Sequence, residues 1–326
     1  MDLYLDKENL FSFISQREEE DYVDCSRLVR RQLHVIYGFD KAEIEGWDDC
    51  NKLCFLNEIV DGRGWKEEPD SYNTNYLESR NLDSDFVLLL LNDIHAVSTT
   101  KNNRITGAVG KEIPTIKKLF CGKDYDLHQL YNIQDKSSLP SWEKLKTDGH
   151  SLPCSDIIVF DRYIFENDYA TVKTNLFKLF QTLTESNTTP CNIVIITQGN
   201  QTTLWNRYLA DLKTLGNNNV TIAYSPPKRK KDEPQKVALP HDRTILTSYR
   251  IFRSGDSFCY FDSRGEIITK GKSLDVDSIA KQDTQVFAYS FVKEMQEICD
   301  KIHKEEFGFL KYIIGDKKSN LIKFKE

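Results

Sequence analysis

The second half of the chain alternates short apolar runs with amphipathic segments in a regular order. β-branched runs predict three strands, in DIIVFDRYIF from residue 156, CNIVIIT from 191 and NVTIAYS from 219. Between them, apolar positions at helical spacing predict helices in ATVKTNLFKLFQTLTES and TTLWNRYLADLKTLG, the second ending at Gly216. Strands separated by helices of this length indicate βαβ units and a parallel sheet.

The pattern changes after this region. HDRTILTSYRIF from 241 and SFCYFDSRGEIIT from 257 predict two adjacent strands joined near residues 254–256. A last helix is predicted through QVFAYSFVKEMQEICDKIH. Two of the strands share a feature, because FDRYIF at 160–165 and HDRTIL at 241–246 each place an Asp-Arg pair beside an apolar run.

The first part of the chain is less regular. A short alternating strand opens it in LYLDKENLFSFI, an amphipathic helix is predicted through RLVRRQLHVIYGF, and DFVLLLLND at 85–93 is typical of a buried strand. Residues 132–155 contain Pro, Gly and Ser in a pattern that indicates an inter-domain connection. A chain of 326 residues exceeds one ordinary core, so we expect two domains. These are an N-terminal α/β or α+β domain of unknown type at 1–150, and an α/β domain at 151–326.

Composition narrows the functional classes. A net charge of −6 argues against a general polyanion-binding protein, although a local basic groove remains compatible with it. The longest apolar run, 86–91, is far shorter than a membrane span, and the N-terminus has no signal-peptide pattern. Eight scattered cysteines in such a chain indicate reduced thiols and a cytoplasmic protein. Only Cys50 and Cys54 are closely spaced, so we expect no metal site and no cofactor.

The densest polar cluster inside an apolar run is His241, Asp242 and Arg243. The stretch from about 155 to 280 resembles the phospholipase D-like superfamily, whose motif is His-x-Lys, four residues, Asp, six residues and Gly. On that spacing His241 and Gly255 match, whereas Arg243 replaces the Lys and Ser248 replaces the Asp. The residues at 241–243 are more similar to a branch of this superfamily that carries His-Asp-Arg in place of His-x-Lys. In that branch a later Gly-x-Ser-Leu-Asp-like segment follows, and GKSLD at 271–275 resembles it.

The resemblance implies a mixed sheet flanked by helices and a phosphodiesterase that needs no metal. His241 would be the nucleophile, Arg243 would offset charge on the phosphate, and Asp242 or Asp161 would orient the histidine. Further phosphate contacts are expected from Arg162, Gly255, Lys272 and Ser273. Because one chain supplies one such histidine, a two-histidine mechanism would require a homodimer.

The resemblance favours a nuclease-type protein of a prokaryotic defence or mobile-element system, since no apolar membrane-binding surface is evident. The alternative is a non-catalytic module of the same fold that binds a phosphate-bearing ligand, nucleic acid or a partner protein. A structural interpretation also stands, because Asp242 and Arg243 alternate across a strand. Either side chain could then simply pair with Arg162 or Asp161.

Two structural expectations follow. Asp161, Arg162, His241 and Arg243 should lie close together at one end of a central sheet, because parallel strands align their ends. Residues 226–236, with two prolines and the run Lys228-Arg229-Lys230-Lys231, should form an exposed mobile loop that could guide a phosphate backbone to the same end.

Overall fold

The architecture is taken from a computed structural model. It describes residues 2–5, 34–37, 41–61, 66–67, 87–90, 105–107, 128–151, 154, 156–185, 187, 190–198, 205–216, 218–226, 237–247, 249–279 and 281–325. Of the segment 226–236, predicted to be an exposed mobile loop, this set includes Pro226, which is buried; residues 227–236 and Ser248 lie outside the set.

The chain divides into two compact units. The N-terminal unit comprises Met1–His128 and Ser278–Gln285, and the C-terminal unit comprises Gln129–Asp277 and Val286–Glu326. This boundary differs from the predicted one near residue 150. The reason is that much of the predicted connection packs into the C-terminal unit, where Tyr131, Leu139, Trp142 and Leu145 are buried. Proline and glycine in that stretch mark turns rather than a linker.

The N-terminal unit contains a five-stranded sheet in the order β3-β2-β1-β4-β5, and every pairing in it is parallel. The strands are β1 (Asp2–Leu5), β2 (His34–Tyr37), β3 (Lys66–Glu67), β4 (Val87–Leu90) and β5 (Ile105–Gly107), and the helices are α1 (Lys41–Glu45) and α2 (Asp49–Asp61). Two predicted strands are confirmed: the one that opens the chain is β1, and the one predicted in DFVLLLLND is β4. The helix predicted across residues 27–39 is wrong at 34–37, because these residues pair in parallel with β1.

The C-terminal unit contains a mixed eight-stranded sheet in the order β13-β9-β8-β7-β10-β11-β12-β6. Its strands are β6 (His128–Asn132), β7 (Asp156–Phe160), β8 (Asn192–Gln198), β9 (Asn219–Ser225), β10 (Arg243–Thr247), β11 (Arg250–Ser254), β12 (Ser273–Ser278) and β13 (Ile313–Gly315). Its helices are α3 (Lys144–Thr147), α4 (Tyr169–Val172), a π-helical turn (Lys173–Phe177), α5 (Lys178–Thr184), α6 (Trp205–Lys213) and α7 (Gln282–Lys304). The α/β class is therefore established.

Three parallel strands form the centre of this sheet, as the βαβ pattern predicts. β7 pairs in parallel with β8, and β8 with β9. Every residue of β7 is buried, because a continuous apolar run has both of its faces covered. β10 then pairs with β7 in the antiparallel direction. Gly216 ends the helix before β9 with a φ of +84°, a conformation that glycine adopts without strain.

The strands after residue 240 differ from the prediction. β10 and β11 form a hairpin within HDRTILTSYRIF, so the two strands connect between Thr247 and Arg250 and not near 254–256. Thr247 closes it, because its hydroxyl accepts hydrogen bonds from the backbone N–H groups of Tyr249 and Arg250. The next strand is β12, and the intervening residues make one isolated bridge between Phe261 and Ile267.

Asn175 joins three parts of the unit from the π-helical turn. Its side chain is fully buried and donates to the carbonyls of Thr171 and Phe261, at 2.8 and 2.6 Å. Its Oδ1 accepts from the N–H of Phe261 at 3.0 Å and from Nε1 of Trp142 at 3.2 Å. All the hydrogen-bonding capacity of the amide is thus used.

The other end of β7 is held by the C-terminal segment. The Asp156 carboxylate accepts hydrogen bonds from the Ser319 hydroxyl and from the backbone and side-chain nitrogens of Asn320. β13 pairs antiparallel with β9 a few residues earlier. Gly315 has a φ of +103°, and a side chain there would meet the Val220 carbonyl at 2.1 Å. The segment therefore completes the sheet.

We predict that Asn175→Ala lowers the free energy of unfolding by about 3 kcal/mol or more. The substitution leaves the Phe261 amide and the Trp142 indole N–H buried without partners, at about 1–3 kcal/mol for each group. Urea denaturation measures the change. Thr174→Ala is the matched control, since its hydroxyl bonds only to a helix carbonyl, and should change stability by less than about 0.5 kcal/mol. Equal effects in the two variants would contradict this.

Candidate functional site

The candidate site lies where β7 ends and β10 begins. Antiparallel pairing sets Thr244 opposite Phe160, so the next residues, Arg243 and Asp161, are neighbours. His241 contacts Arg243, and Arg162 shares an aromatic neighbour with it. The structure thus brings together the four residues whose proximity was predicted. Their proposed chemical roles are a separate matter and stay predictions.

Asp161 is a fully buried carboxylate that anchors this strand end. Its Oδ1 accepts from the Tyr163 backbone N–H at 2.9 Å, which is a local turn two residues on. Its Oδ2 accepts from the Ser257 hydroxyl and the Phe258 N–H, both at 2.8 Å. Burial raises the pKa of Asp161 to about 6, although these hydrogen bonds and the charge of Arg243 act in the opposite direction. Both oxygens thus bind groups of the fold, and no hydrogen bond joins Asp161 to His241 in the described part of the chain.

Arg243 is the buried cation of the site, with 5% of its surface exposed. Its Nη1 donates to the Gly255 carbonyl at 2.9 Å and lies 3.5 Å from Nδ1 of His241. The guanidinium carbon lies 5.3 Å from the centre of the Tyr163 ring. Its Nε is buried and has no hydrogen-bond partner among the described residues. One donor of a desolvated guanidinium is therefore unsatisfied.

Arg162 approaches the same aromatic ring. Its guanidinium carbon also lies 5.3 Å from the Tyr163 centroid. Nη2 donates to Oε1 of Gln198, at the end of β8, at 3.2 Å. Its buried Nε, like that of Arg243, lacks a partner within the described part of the chain. Burial raises the pKa of Glu166, and the charge of Arg162 opposes that rise, so one carboxyl group lies close enough to balance this arginine in part.

His241 and Asp242 are the exposed members. Their side chains are 77% and 96% exposed, and His241 Nδ1 lies 3.8 Å from Asp242 Oδ1. That separation is too long for a hydrogen bond. The alternation predicted for this strand is confirmed, because Asp242 points to solvent and Arg243 into the protein. The nearest polar neighbour of Nδ1 is therefore a cationic donor, Arg243, rather than a carboxylate.

The structure distinguishes the two candidate glycines. Gly255 lies at the site, because its carbonyl accepts from Arg243. Gly271 lies against Asp256, the residue after Gly255, and its N–H donates to the Asp256 carboxylate at 3.3 Å. Lys272 and Ser273 lead into β12, and the Lys272 carbonyl accepts from Ile133. Since β11 lies between β12 and β10, Lys272 and Ser273 are not on a strand adjacent to that of Arg243.

One nearby thiol is excluded as a nucleophile. Cys259 is buried beside Asp161, and its Sγ lies 3.3 Å from the Ile164 carbonyl. Burial and the neighbouring carboxylate raise the pKa of Cys259 to about 12. A thiol so raised is protonated at neutral pH and is unreactive. Across the described ranges, no three His, Cys, Asp or Glu side chains group closely enough to hold a metal ion.

Sequence reasoning missed the partners that shape the site. Ser257 and Phe258 lie 96 and 97 residues from Asp161 along the chain, and no local pattern links them. Gln198 is a polar residue at the end of an apolar strand, a position that gives a weak signal. Tyr163 follows the Asp-Arg pair directly, but its contact with both guanidinium groups depends on the antiparallel pairing of β10.

A scan against protein-family models found no match for the chain, and a search of curated proteins found none either. The resemblance to the phospholipase D-like superfamily therefore stays a prediction. Within the residues that the structure describes, no helix has the length and apolar content that crossing a membrane requires.

We predict that Asp161 makes stability fall as pH rises from about 4 to about 6. The folded state keeps the Asp161 proton up to about pH 6, whereas the unfolded chain releases it near 3.8. Between these values the folded state binds more protons, so raising the pH favours unfolding, by on the order of 2–3 kcal/mol over the range.

The difference in stability between the wild type and Asp161→Asn isolates this contribution. The variant should be most destabilised near pH 4 and least above pH 6.5, in urea denaturation at each pH. A difference that stays constant with pH would contradict a raised pKa at Asp161.

Proposed function

We propose that the C-terminal unit is a phospholipase D-like module that binds a phosphate-bearing ligand at the end of β7 and β10. The observation that carries this proposal is the pair of arginines, Arg162 and Arg243, each with an unpartnered buried Nε beside the Tyr163 ring. Phosphate oxygens accept hydrogen bonds from guanidinium groups in bidentate geometry, and such bonds are among the strongest in proteins.

The strand order supports the placement. In sheets of this kind, ligands bind outside the carboxyl ends of parallel strands. Asp161 and Gln198 stand at the carboxyl ends of β7 and β8, and both belong to the site's contact network. His241, exposed at the start of β10, lies beside them and can contact a ligand from the solvent side.

The local charge indicates a singly charged ligand group rather than a highly charged one. Asp161 lies close enough to Arg243 for their charges to interact, and Glu166 is similarly placed relative to Arg162. The two arginines are therefore already offset in part by two carboxyl groups. The site is selective for an anion that fits the donors, and the net charge of −6 works against general polyanion binding.

Binding is favoured over hydrolysis by the surroundings of His241. A nucleophilic imidazole presents a free lone pair to phosphorus, with its other nitrogen donating to a carboxylate. Here the polar neighbour of Nδ1 is the Arg243 guanidinium at 3.5 Å, a cationic donor, and not a carboxylate that would orient the ring for attack. Asp161 is used by the loop, and Asp242 is too far from Nδ1.

Phosphodiesterase activity remains the second candidate. The observation in its favour is the exposure of the imidazole, which leaves His241 open to a substrate beside two cations. In that function His241 would attack phosphorus as the P–O bond to the leaving oxygen breaks, and that oxygen would take a proton from water. Water would then hydrolyse the phospho-histidine, and Arg243 would offset the charge of the phosphoryl oxygens in both steps.

We predict that Arg162→Gln weakens phosphate binding by about 10- to 100-fold, because it removes a charged hydrogen-bond donor. Isothermal titration measures the binding of two probes, inorganic phosphate and a short single-stranded oligonucleotide.

Arg264→Gln is the control, since that side chain is 82% exposed and pairs with Asp262. Arg243→Lys keeps the charge and should retain part of the affinity. Thermal unfolding of each variant separates lost binding from lost folding. Equal affinity in the wild type and Arg162→Gln would overturn the proposal.

Turnover separates the two functions. With labelled DNA, RNA and a generic phosphodiester as substrates, we expect binding without cleavage. Cleavage that resists EDTA and disappears in His241→Ala would establish the phosphodiesterase instead. Cleavage that EDTA removes and that persists in His241→Ala would place the chemistry elsewhere, most directly in the N-terminal unit. There the strand order reverses between β1 and β4, the position at which parallel sheets bind ligands.

A further inference from the structure

His150 is a buried histidine between β6, β11 and the segment that follows α3. Only 3% of its surface is exposed. Its Nδ1 lies 3.2 Å from Nε of Arg250, and its Nε2 lies 2.9 Å from Oε1 of Gln129 and 3.0 Å from the Tyr131 hydroxyl. The imidazole also makes T-shaped contacts with the rings of Tyr131 and Phe252. One side chain thus joins the last strand of the sheet, β6, to β11, which lies two positions further in.

The neighbours of His150 determine which ring nitrogen carries the proton. Nε of Arg250 can only donate, so Nδ1 of His150 accepts and is unprotonated. Gln129 and the Tyr131 hydroxyl both donate to the Asp148 carboxylate, at 3.2 and 2.7 Å, so each presents an oxygen that can accept from Nε2. The hydrogen-bond network therefore assigns the neutral tautomer with its proton on Nε2.

A second proton on this ring would have no acceptor. It would enter at Nδ1, where two N–H groups and two positive charges, those of His150 and Arg250, would face each other at 3.2 Å. The Asp148 carboxylate is already bonded to Lys144 and to the side chains of β6. Burial, followed by the charges of Arg250 and Lys144, lowers the pKa of His150 well below 6.5. The closed site therefore excludes a proton that an imidazole in water accepts near pH 6.5.

We propose that His150 is a pH-sensitive switch that controls the pairing of β6 with the sheet. β6 supplies two of the three hydrogen-bond partners of the ring described above, and it stands at the end of the strand order, so it can leave while the central strands stay paired. Once water reaches the ring, His150 accepts a proton, and its repulsion with Arg250 then opposes reclosure. Opening is thus linked to proton uptake, and each pH unit below 6.5 favours the open state by up to about tenfold.

The switch acts where the chain passes from one compact unit to the other, because Gln129 is the first residue of the C-terminal unit. The residues just after β6 are held separately. The Ile133 N–H donates to the Lys272 carbonyl at 3.0 Å, and the Gln134 amide donates to the Gly271 carbonyl at 2.7 Å. We therefore expect opening to be limited to the strand, where it uncovers the neighbouring edge of β12.

Hydrogen exchange of the full chain at pH 7, 6 and 5 tests the switch. The readout is the protection factor, which corrects for the intrinsic pH dependence of exchange. We expect protection of the amides at 129–132 to fall about 25-fold between pH 7 and pH 5. At each pH these amides should be about tenfold or more less protected than those of β8, since β8 stays closed when β6 opens.

His150→Asn is the test variant, because an amide supplies one donor and one acceptor but does not titrate in this range. In it, protection at 129–132 should change by less than about twofold between pH 7 and pH 5. His128→Gln is the matched control. His128 is the other histidine of β6, and it alternates with Gln129 and Tyr131, which contact the ring, so the 25-fold fall should persist without it.

Nitrogen chemical shifts of the His150 ring in the wild type give a second measurement, which decides the inference even if His150→Asn does not fold. They should report the neutral tautomer with its proton on Nε2 down to pH 5. A ring that titrates near pH 6.5 in the folded protein would overturn the inference. Equal protection of β6 and β8 at every pH, or a fall that persists in His150→Asn, would do the same. Phosphate plays no part in these measurements, so they are independent of the proposed function.

Discussion

A carboxylate without access to water must have its oxygens satisfied by protein donors, and Asp161 meets this requirement where the central strand ends. Its three donors come from the next turn and from residues 257 and 258, nearly a hundred positions later. The loop after β11 is thereby held against β7. That loop contains Gly255, whose carbonyl positions Arg243, and Arg243 in turn lies against Tyr163. The geometry of the candidate site therefore depends on one buried acid.

The same interactions show that much of the polarity at this strand end serves the fold. Most of the polar groups that the sequence brings here serve the fold: Asp161 binds backbone, and Arg243 binds a carbonyl. What remains for a ligand is smaller, namely the guanidinium donors of Arg162 and Arg243 that no described residue binds and the exposed imidazole of His241. In the proposed function these donors would recognise an anion, since recognition requires well-placed donors but no activated nucleophile.

The three central strands and their parallel pairing could be predicted because β7, β8 and β9 are apolar runs separated by amphipathic helices, and local periodicity is enough to identify them. The β10–β11 turn could not, because it depends on one threonine hydroxyl within a uniformly strand-like stretch. The strand at His34–Tyr37 was not predicted, because apolar residues at helical spacing around it indicated a helix. Its conformation depends on parallel pairing with β1, which no local pattern reveals. The clustering of Asp161 with His241 was predictable from aligned strand ends, whereas the contacts of Asp161 with residues 257 and 258 were not.

The clamp on Asp156 has a consequence for how the protein is made. This residue begins the central strand, yet its partners Ser319 and Asn320 follow 163 and 164 positions later. At synthesis rates of about 5–20 residues per second, the ribosome needs on the order of ten to thirty seconds to supply them. During that interval β9 also lacks β13, so its outer edge is open. The nascent chain thus carries an unpaired strand edge and an uncapped buried carboxylate, and it is in this period that chaperone binding would matter most.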